Sequence, residues 1–403
     1  MDERYSMENI VMRIAVIYDF ATNLGGGDFV MLNILETLHD AGYEVTLLTS
    51  YSEGLQFSAQ FFGKTIPNVN IYSVKVPRFL KHPYSIAYIA HQATKTLRDL
   101  FDVYITSDDI PMFIADRRGM CYIHYSHATR LKLKKYIARK YRYTLRGKLI
   151  WKIHEFMFPR LYVIDKKPRN WLLLANSIIT REHLAKTFQV SNEEIILLNP
   201  PVASRAINKM LEKSSLEKEN LIVSVGRFES EKRFVDVLYA MRWLKEKIGD
   251  IKLSLIGFKR EEMKLFKIIK NFGLEKNVEI LINADRKIVL NRLLRAKAII
   301  HPAPHEPFGI AVVEGMAAGC IPIVRRGLNG PWLEIIAKGK YGIGFSNLHE
   351  LVKAVEKVVK SYDAFDVNRI ISRALEYDES IFKQRLIEMI RSFLVNERFR
   401  SDQ

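Results

Sequence analysis

Two clusters of residues carry the chemical interest of this 403-residue chain, and both fall in its second half. The first runs Val225-Gly226-Arg227-Phe228-Glu229-Ser230-Glu231-Lys232, between an apolar run and a helix-permissive one. If the apolar run is a strand of a parallel sheet, Arg227 and Lys232 stand at its carboxyl end, where such sheets bind ligands. A planar guanidinium fork beside a mobile ammonium suits a pyrophosphate. The same two cations would serve equally as a solvated surface pair. The second cluster runs His301-Pro302-Ala303-Pro304-His305-Glu306-Pro307-Phe308-Gly309-Ile310 and on to Gly319. Pro302, Pro304 and Pro307 forbid helix before Phe308, whereas Ile310 to Ala318 permits one. Glu306 therefore hangs in a loop at a strand end, and Glu314 lies on the following helix. Free backbone N–H groups near Phe308, Gly309 and Ile310 suit an anion, and Gly309 lets a ligand approach closely. Each carboxylate accepts two hydrogen bonds, which allows one to read sugar hydroxyls and the other ribose hydroxyls. The alternative is that both glutamates only cap and solvate a helix.

These clusters need strands and helices to hold them, and the chain supplies an α/β alternation. Arg13 to Phe20 reads as a buried strand, followed by the loop Leu24-Gly25-Gly26-Gly27-Asp28 and a helix with Phe29, Leu32, Leu35 and Leu38 at helical spacing. Asp28 complements the helix dipole, Gly42 stops the helix, and Glu44 to Thr49 returns as a strand. Val103 to Thr106 and Met120 to Tyr125 continue the pattern. It restarts with Leu221 to Val225, the helix Arg233 to Lys247, and strands at Lys252 to Ile256, Val278 to Ile282, Ala298 to His301 and Ile321 to Val324. Such alternation predicts two doubly wound, Rossmann-like parallel-sheet domains. We expect residues 12–203 to form the first, the polar stretch 204–220 to link them, and residues 221–378 to form the second. Residues 379–403 then form a carboxyl-terminal helix.

Bulk properties narrow the function classes. A hydrophobic content of 48% excludes a disordered chain, and a net charge of +17 calls for anionic partners such as nucleotide, phosphate or lipid headgroups. Only Cys121 and Cys320 are present, too far apart for metal-ligand spacing, so no zinc site is expected and a reducing compartment fits. The first eleven residues read as a frayed leader. With Arg13 and Asp19 interrupting the first apolar run, neither a signal peptide nor a membrane span is expected.

The pattern Glu306-Pro307-Phe308-Gly309 with Glu314 seven residues beyond Glu306, then Met316, Ala317 and Gly319, resembles the signature of the retaining GT-B glycosyltransferases of the group 1, family 4 type. Gly226-Arg227 with Lys232 resembles their pyrophosphate motif. Gly25-Gly26-Gly27-Asp28, Ala175-Asn176-Ser177 and Asn199-Pro200-Pro201-Val202 are similar to further landmarks of that family. Gly315 departs from it, since the family usually carries Ala there, and the expected effect is a slightly weaker helix with intact contacts. The resemblance implies a nucleotide-sugar donor whose phosphates meet Arg227 and Lys232, with backbone amides offered by Phe308 and Gly309, and with Ile310, Gly26 and Gly27 also binding the donor. Glu306 would hold the transferred sugar and Glu314 the ribose. In Tyr122-Ile123-His124-Tyr125-Ser126-His127, the resemblance favours His124 near the reacting carbon; the other reading is a satisfied core histidine. It implies two domains facing a cleft, the last helix packing back on the first domain, and transfer with retention. No Asp-x-Asp motif is present, so no metal or other cofactor is expected.

Between Arg130 and Lys152 lie ten Lys or Arg residues and no acid. Leu133, Ile137, Tyr141, Leu145 and Leu149 recur every four residues among them, as in a basic amphipathic helix. Lys134, Lys135, Arg139, Arg142 and Arg146 would then face an anionic membrane; a solvated helix packed on the first domain, or RNA binding, are the other readings. A membrane surface fits a lipid-linked saccharide acceptor at the cytosolic face. The Tyr122-Ile123-His124-Tyr125 and Asn199-Pro200-Pro201-Val202 segments most resemble mannosyltransferases that extend lipid-linked oligosaccharides, which tilts the donor towards GDP-mannose. The alternatives are a soluble transferase using UDP- or ADP-glucose, and a catalytically silent subunit that binds nucleotide or glycan.

Overall fold

The computed structural model describes residues 12–20, 25–77, 79–80, 82–97, 99–133, 145–258 and 262–395. The chain divides into two compact units. The first comprises the chain up to Ala175, Arg181–Ile196 and the residues from Lys383; the second comprises Asn176–Thr180 and Leu197–Phe382.

The first unit is built on a seven-stranded sheet. Its strands are β1 (Arg13–Ile17), β2 (Glu44–Thr49), β3 (Asn70–Ser73), β4 (Val103–Ser107), β5 (Gly119–Ile123), β6 (Trp171–Ala175) and β7 (Ile195–Leu197). They lie in the order β3-β2-β1-β4-β5-β6-β7, and β1 through β6 pair in parallel. Every residue of β4, β5 and β6 is buried, as expected of strands covered on both faces. The helix Gly26–Asp40 packs Phe29, Leu32, Leu35 and Leu38 into the core, and Gly42 follows it at φ +82°, a conformation that favours glycine. Glu36 pairs with Lys383 at 2.7 Å, and the Arg118 guanidinium lies 4.7 Å from the Phe393 ring centroid. The part of helix Glu379–Val395 from Lys383 onward is thus anchored within this unit.

The second unit carries six strands: β8 (Glu219–Val225), β9 (Lys252–Gly257), β10 (Val278–Ile282), β11 (Ala296–His301), β12 (Ile321–Arg325) and β13 (Ile343–Phe345). Their order is β10-β9-β8-β11-β12-β13, all parallel. The order reverses at β8 and β11, so the loops after these two strands flank the topological switch point where such sheets bind ligands. Both sequence clusters of chemical interest fall in those two loops. The polar stretch 204–220 contains the helix Ser204–Lys213 and the first residues of β8. Ile207 is buried in the helix while the helix's charged side chains face out, so a linker-like composition conceals an amphipathic helix. Among the described residues, no helix is long and apolar enough to cross a membrane.

Candidate active site

In the second unit, β11 delivers His301 and the proline-rich loop beyond it delivers Glu306. The Lys232 ammonium, at the end of the short turn Ser230–Lys232 after β8, forms an ion pair with Glu306 Oε2. His301 Nε2 lies 3.3 Å from the same oxygen. Burial alone would raise the Glu306 carboxyl, but Lys232 and His301 outweigh it and hold Glu306 well below the usual carboxylate range. Glu306 is therefore an anion poised to accept hydrogen bonds, and Lys232 is a cation within reach of whatever it holds.

Gly309 closes the loop at φ +102°, and a Cβ on it would stand 2.8 Å from Pro331 Cγ, so both backbone and space demand glycine. Helix Ile310–Ala317 starts there; the Val312 N–H donates to the Gly309 carbonyl at 2.9 Å, and the amides before it are those that an α-helix leaves without intrahelical partners. Phe308 is buried and packs edge-on to Tyr377, which anchors the loop. Glu314, buried on this helix, pairs with Arg286 at 2.5 Å. Arg286 opens the helix Arg286–Arg295 beyond β10 and was not singled out from the sequence. Its partner lies 28 residues downstream, and nothing in the local pattern marks it among many basic neighbours. Arg227 follows β8 directly; its guanidinium is half-exposed and lies 3.6 Å from Glu229.

Gly315 has a spatial reason for being glycine. A Cβ there would come within 2.7 Å of Ile299 Cγ2 and 2.9 Å of Ile299 Cβ, so the helix lies closer to β11 than alanine allows. The expected weaker helix with unchanged contacts misses this close approach.

In the first unit, Gly26 and Gly27 form the first turn of helix Gly26–Asp40, and Asp28 caps it by accepting from the Gly25 N–H at 3.0 Å and the Tyr18 hydroxyl at 3.1 Å. A Cβ on Gly27 would lie 3.7 Å from His124 Nε2. His124 follows β5, and among the described residues that buried Nε2 has no hydrogen-bond partner. Its backbone N–H, with that of Tyr125, donates to Asp108 Oδ1 at 2.8 Å. Burial lowers the His124 pKa, and Asp108 partly opposes the shift. Neutral His124 thus presents an unsatisfied nitrogen beside a glycine turn at a helix start. His127 differs: its N–H donates to Asp109, and its ring packs among His82, His154 and Phe158. Asp108 and Asp109 were missed in the sequence, although a Ser-Asp-Asp run ending a buried strand was the available signal.

The landmarks at Asn176 and Asn199 meet in the second unit. Asn199 Nδ2 donates to Asn176 O at 3.2 Å and to Glu334 Oε1 at 2.5 Å, and the Ile178 N–H donates to Glu334 Oε2 at 3.0 Å. Of the residues expected at a membrane, Lys134, Lys135, Arg139 and Arg142 lie outside the described residues. Arg146 is exposed on the helix Leu145–Leu161. No group of three or more His, Cys, Asp or Glu able to hold a metal occurs among the described residues.

Residues 24–204 match the Glycosyltransferase Family 4 model, and residues 207–374 match the Glycosyl transferases group 1 model. The chain is similar to the GDP-Man:Man(3)GlcNAc(2)-PP-Dol alpha-1,2-mannosyltransferase of Mus musculus, with 30% identity over 176 residues, 41% of this chain and 36% of that protein. It is also similar to the protein of the same name from Neurospora crassa, with 27% identity over 269 residues, 59% and 48% of the two chains. The chain thus matches less than half the length of either relative. A glycosyltransferase crystal structure from Rickettsia africae aligns with a TM-score of 0.69 at 15% identity, over 96% of this chain and 100% of that one, a likeness of fold alone. The two family matches meet near residue 205 and between them span the cores of both units, so the chain belongs to the GT-B glycosyltransferases of the group 1 and family 4 type.

Proposed function

We propose that this glycosyltransferase is a retaining enzyme that moves mannose from GDP-mannose to a lipid-linked saccharide, peripherally at the cytosolic membrane face and without a metal. The observation that carries the reading is the pairing of Glu306 with Lys232 beside the amide tip of helix Ile310–Ala317. A carboxylate for sugar hydroxyls and a cation for phosphate stand in contact, which suits a sugar diphosphate. The mannose and lipid components draw their support from the activity named for the two relatives.

In this reading the bond between the anomeric carbon and the diphosphate oxygen breaks, and the acceptor hydroxyl bonds to that carbon from the face the diphosphate leaves. The hydroxyl proton passes to the departing phosphate. Negative charge grows on that phosphate, and Lys232, Arg227 and the helix amides stabilise it more in the transition state than in the ground state. Glu314, fixed by Arg286, accepts from the ribose hydroxyls. Donor turnover should be measured across GDP-mannose, UDP-glucose and ADP-glucose, with and without a chelator. Turnover of GDP-mannose, unaffected by the chelator and with the α-anomer conserved, is the expected result. Preference for another donor would overturn the mannose assignment, and turnover of none would overturn the enzyme reading.

A further inference from the structure

The helix Leu145–Leu161 uses one face to join the first unit. Gly147, His154 and Phe158 are buried, Phe158 stacks on Tyr162, and His154 Nδ1 lies 2.8 Å from the Tyr84 hydroxyl. The opposite face is apolar and open. Leu145, Leu149, Ile150, Ile153, Phe156 and Met157 are between 38% and 88% exposed. At 3.6 residues per turn these six fall within an arc of roughly 140°. Six large apolar side chains on one open arc exceed the scattered exposure normal for a protein surface.

Charge on the same helix indicates what covers that arc. Residues 145–161 hold four cations, Arg146, Lys148, Lys152 and Arg160, and one acid, Glu155. Glu155 accepts a hydrogen bond from Trp151 Nε1. Among the described residues, Arg146, Lys148 and Lys152 form no ion pair. Arg146 and Arg160 fall inside the apolar arc, with the Arg160 guanidinium 3.7 Å from the Phe156 ring centroid; Lys152 borders it and Lys148 lies one step beyond Lys152. A protein partner would have to bring acids into the middle of an apolar contact. A bilayer offers acyl chains for the apolar residues and phosphates for cations that extend up to the headgroups.

We propose that the helix Leu145–Leu161 is a monotopic docking element lying in the plane of an anionic bilayer, its apolar arc at the acyl boundary and its four cations at the phosphates. This deepens the lipid-linked acceptor reading, on which it rests for its purpose. It moves the membrane face from the spacing Leu133 to Leu149 read in the sequence to the residues 145–157.

The test is flotation of the full chain with phosphatidylcholine vesicles, with and without phosphatidylglycerol, at low and high salt. Wild type should float with the anionic vesicles at low salt. Leu149→Glu/Phe156→Glu should lower partitioning by at least ~10-fold, since two large side chains leave the acyl boundary. Lys148→Gln/Lys152→Gln should lower it by roughly 10-fold at low salt and little at high salt. Circular dichroism and donor turnover in solution should match wild type in both variants. Absence of wild-type flotation, or flotation that neither variant changes, overturns the proposal. So does a wild-type dimer that Leu149→Glu/Phe156→Glu converts to monomer without any vesicle binding, because the arc is then a subunit interface. Variant-sensitive flotation with no donor turned over would support docking and remove the proposed activity instead.

Discussion

Replacing Lys232 with methionine removes the ammonium from Glu306 while keeping most of the side-chain bulk. Among the described residues, Glu306 would keep His301 as its ion-pair partner, at 3.3 Å. The pair's side chains are 20% and 17% exposed, so the orphaned carboxylate should cost about 1–3 kcal/mol, less than the 3–5 typical of a fully buried broken pair. For a domain of this size that lowers the melting temperature of the second unit by about 3–10 °C. Turnover should fall at least ~10²-fold, as when a transition-state cation is lost. The two effects separate in Lys232→Met/Glu306→Gln, which has no orphaned charge: melting temperature should largely return while turnover stays low. Calorimetry and a donor-turnover assay on the single and double variants read both quantities. Wild-type turnover in Lys232→Met would refute the phosphate role, and a double variant no more stable than the single one would refute the electrostatic account of the pair.

Arg286→Ala should raise the KM for donor by roughly 10-fold with a smaller change in kcat, because Glu314 loses a charge-assisted partner; Arg286→Lys should recover part of it, as donor titration would show. Gly315→Ala should lower the melting temperature of the second unit, since overpacking against Ile299, about 1–3 kcal/mol, outweighs a helix-propensity gain of about 1 kcal/mol. The loss caused by Gly315→Ala should be smaller in an Ile299→Ala background than in the wild-type one, as a double-mutant cycle of melting temperatures would show. In the first unit, burial and Arg130 lower the His154 pKa to about 4. As pH falls from about 6.5 to 4 the unfolded chain takes up a proton that the folded chain refuses, so this group removes stability across that window, up to ~3 kcal/mol. Asp109, pushed up to about 7 by burial, has the opposite slope, so the comparison to make is His154→Phe against wild type in melting temperature versus pH. The variant should gain relative stability as pH falls.

Legibility in the sequence followed burial. Strands covered on both faces, such as Val103–Ser107, read as apolar runs, and the reading of Val103 to Thr106 falls one residue short of the fold. The edge strand Asn70–Ser73 is exposed at all four residues and carries no apolar run, so it was invisible. Helix Ser204–Lys213 was hidden by composition, because Ile207 and a partly buried Leu211 are the apolar residues that seat it on the core. Lys232 and Glu306 were legible through motif and strand ends although 74 residues separate them. Arg286 was not, because it owes its position to the packing of two helices; for Asp108 the Ser107-Asp108-Asp109 run marked the place, but no spacing rule announces the left-handed backbone at φ +68° that sets its direction.

The charges of the second unit's site nearly cancel, and that constrains the proposed chemistry. Lys232 faces Glu306, Arg286 faces Glu314, and Arg227 lies beside Glu229, so the side chains present little net positive charge to an incoming diphosphate. The attraction must therefore come from directed donors: the amide tip of helix Ile310–Ala317, and a Lys232 that turns part of its hydrogen bonding from Glu306 to phosphate. Such a turn leaves Glu306 short of a donor, which sugar hydroxyls can replace. Phosphate and sugar then bind as linked events, because each repairs what the other takes. Under the proposed chemistry a bare nucleoside diphosphate would draw on Lys232 and return nothing to Glu306, so the site should hold the intact donor more tightly than the product and release the latter once the sugar has gone.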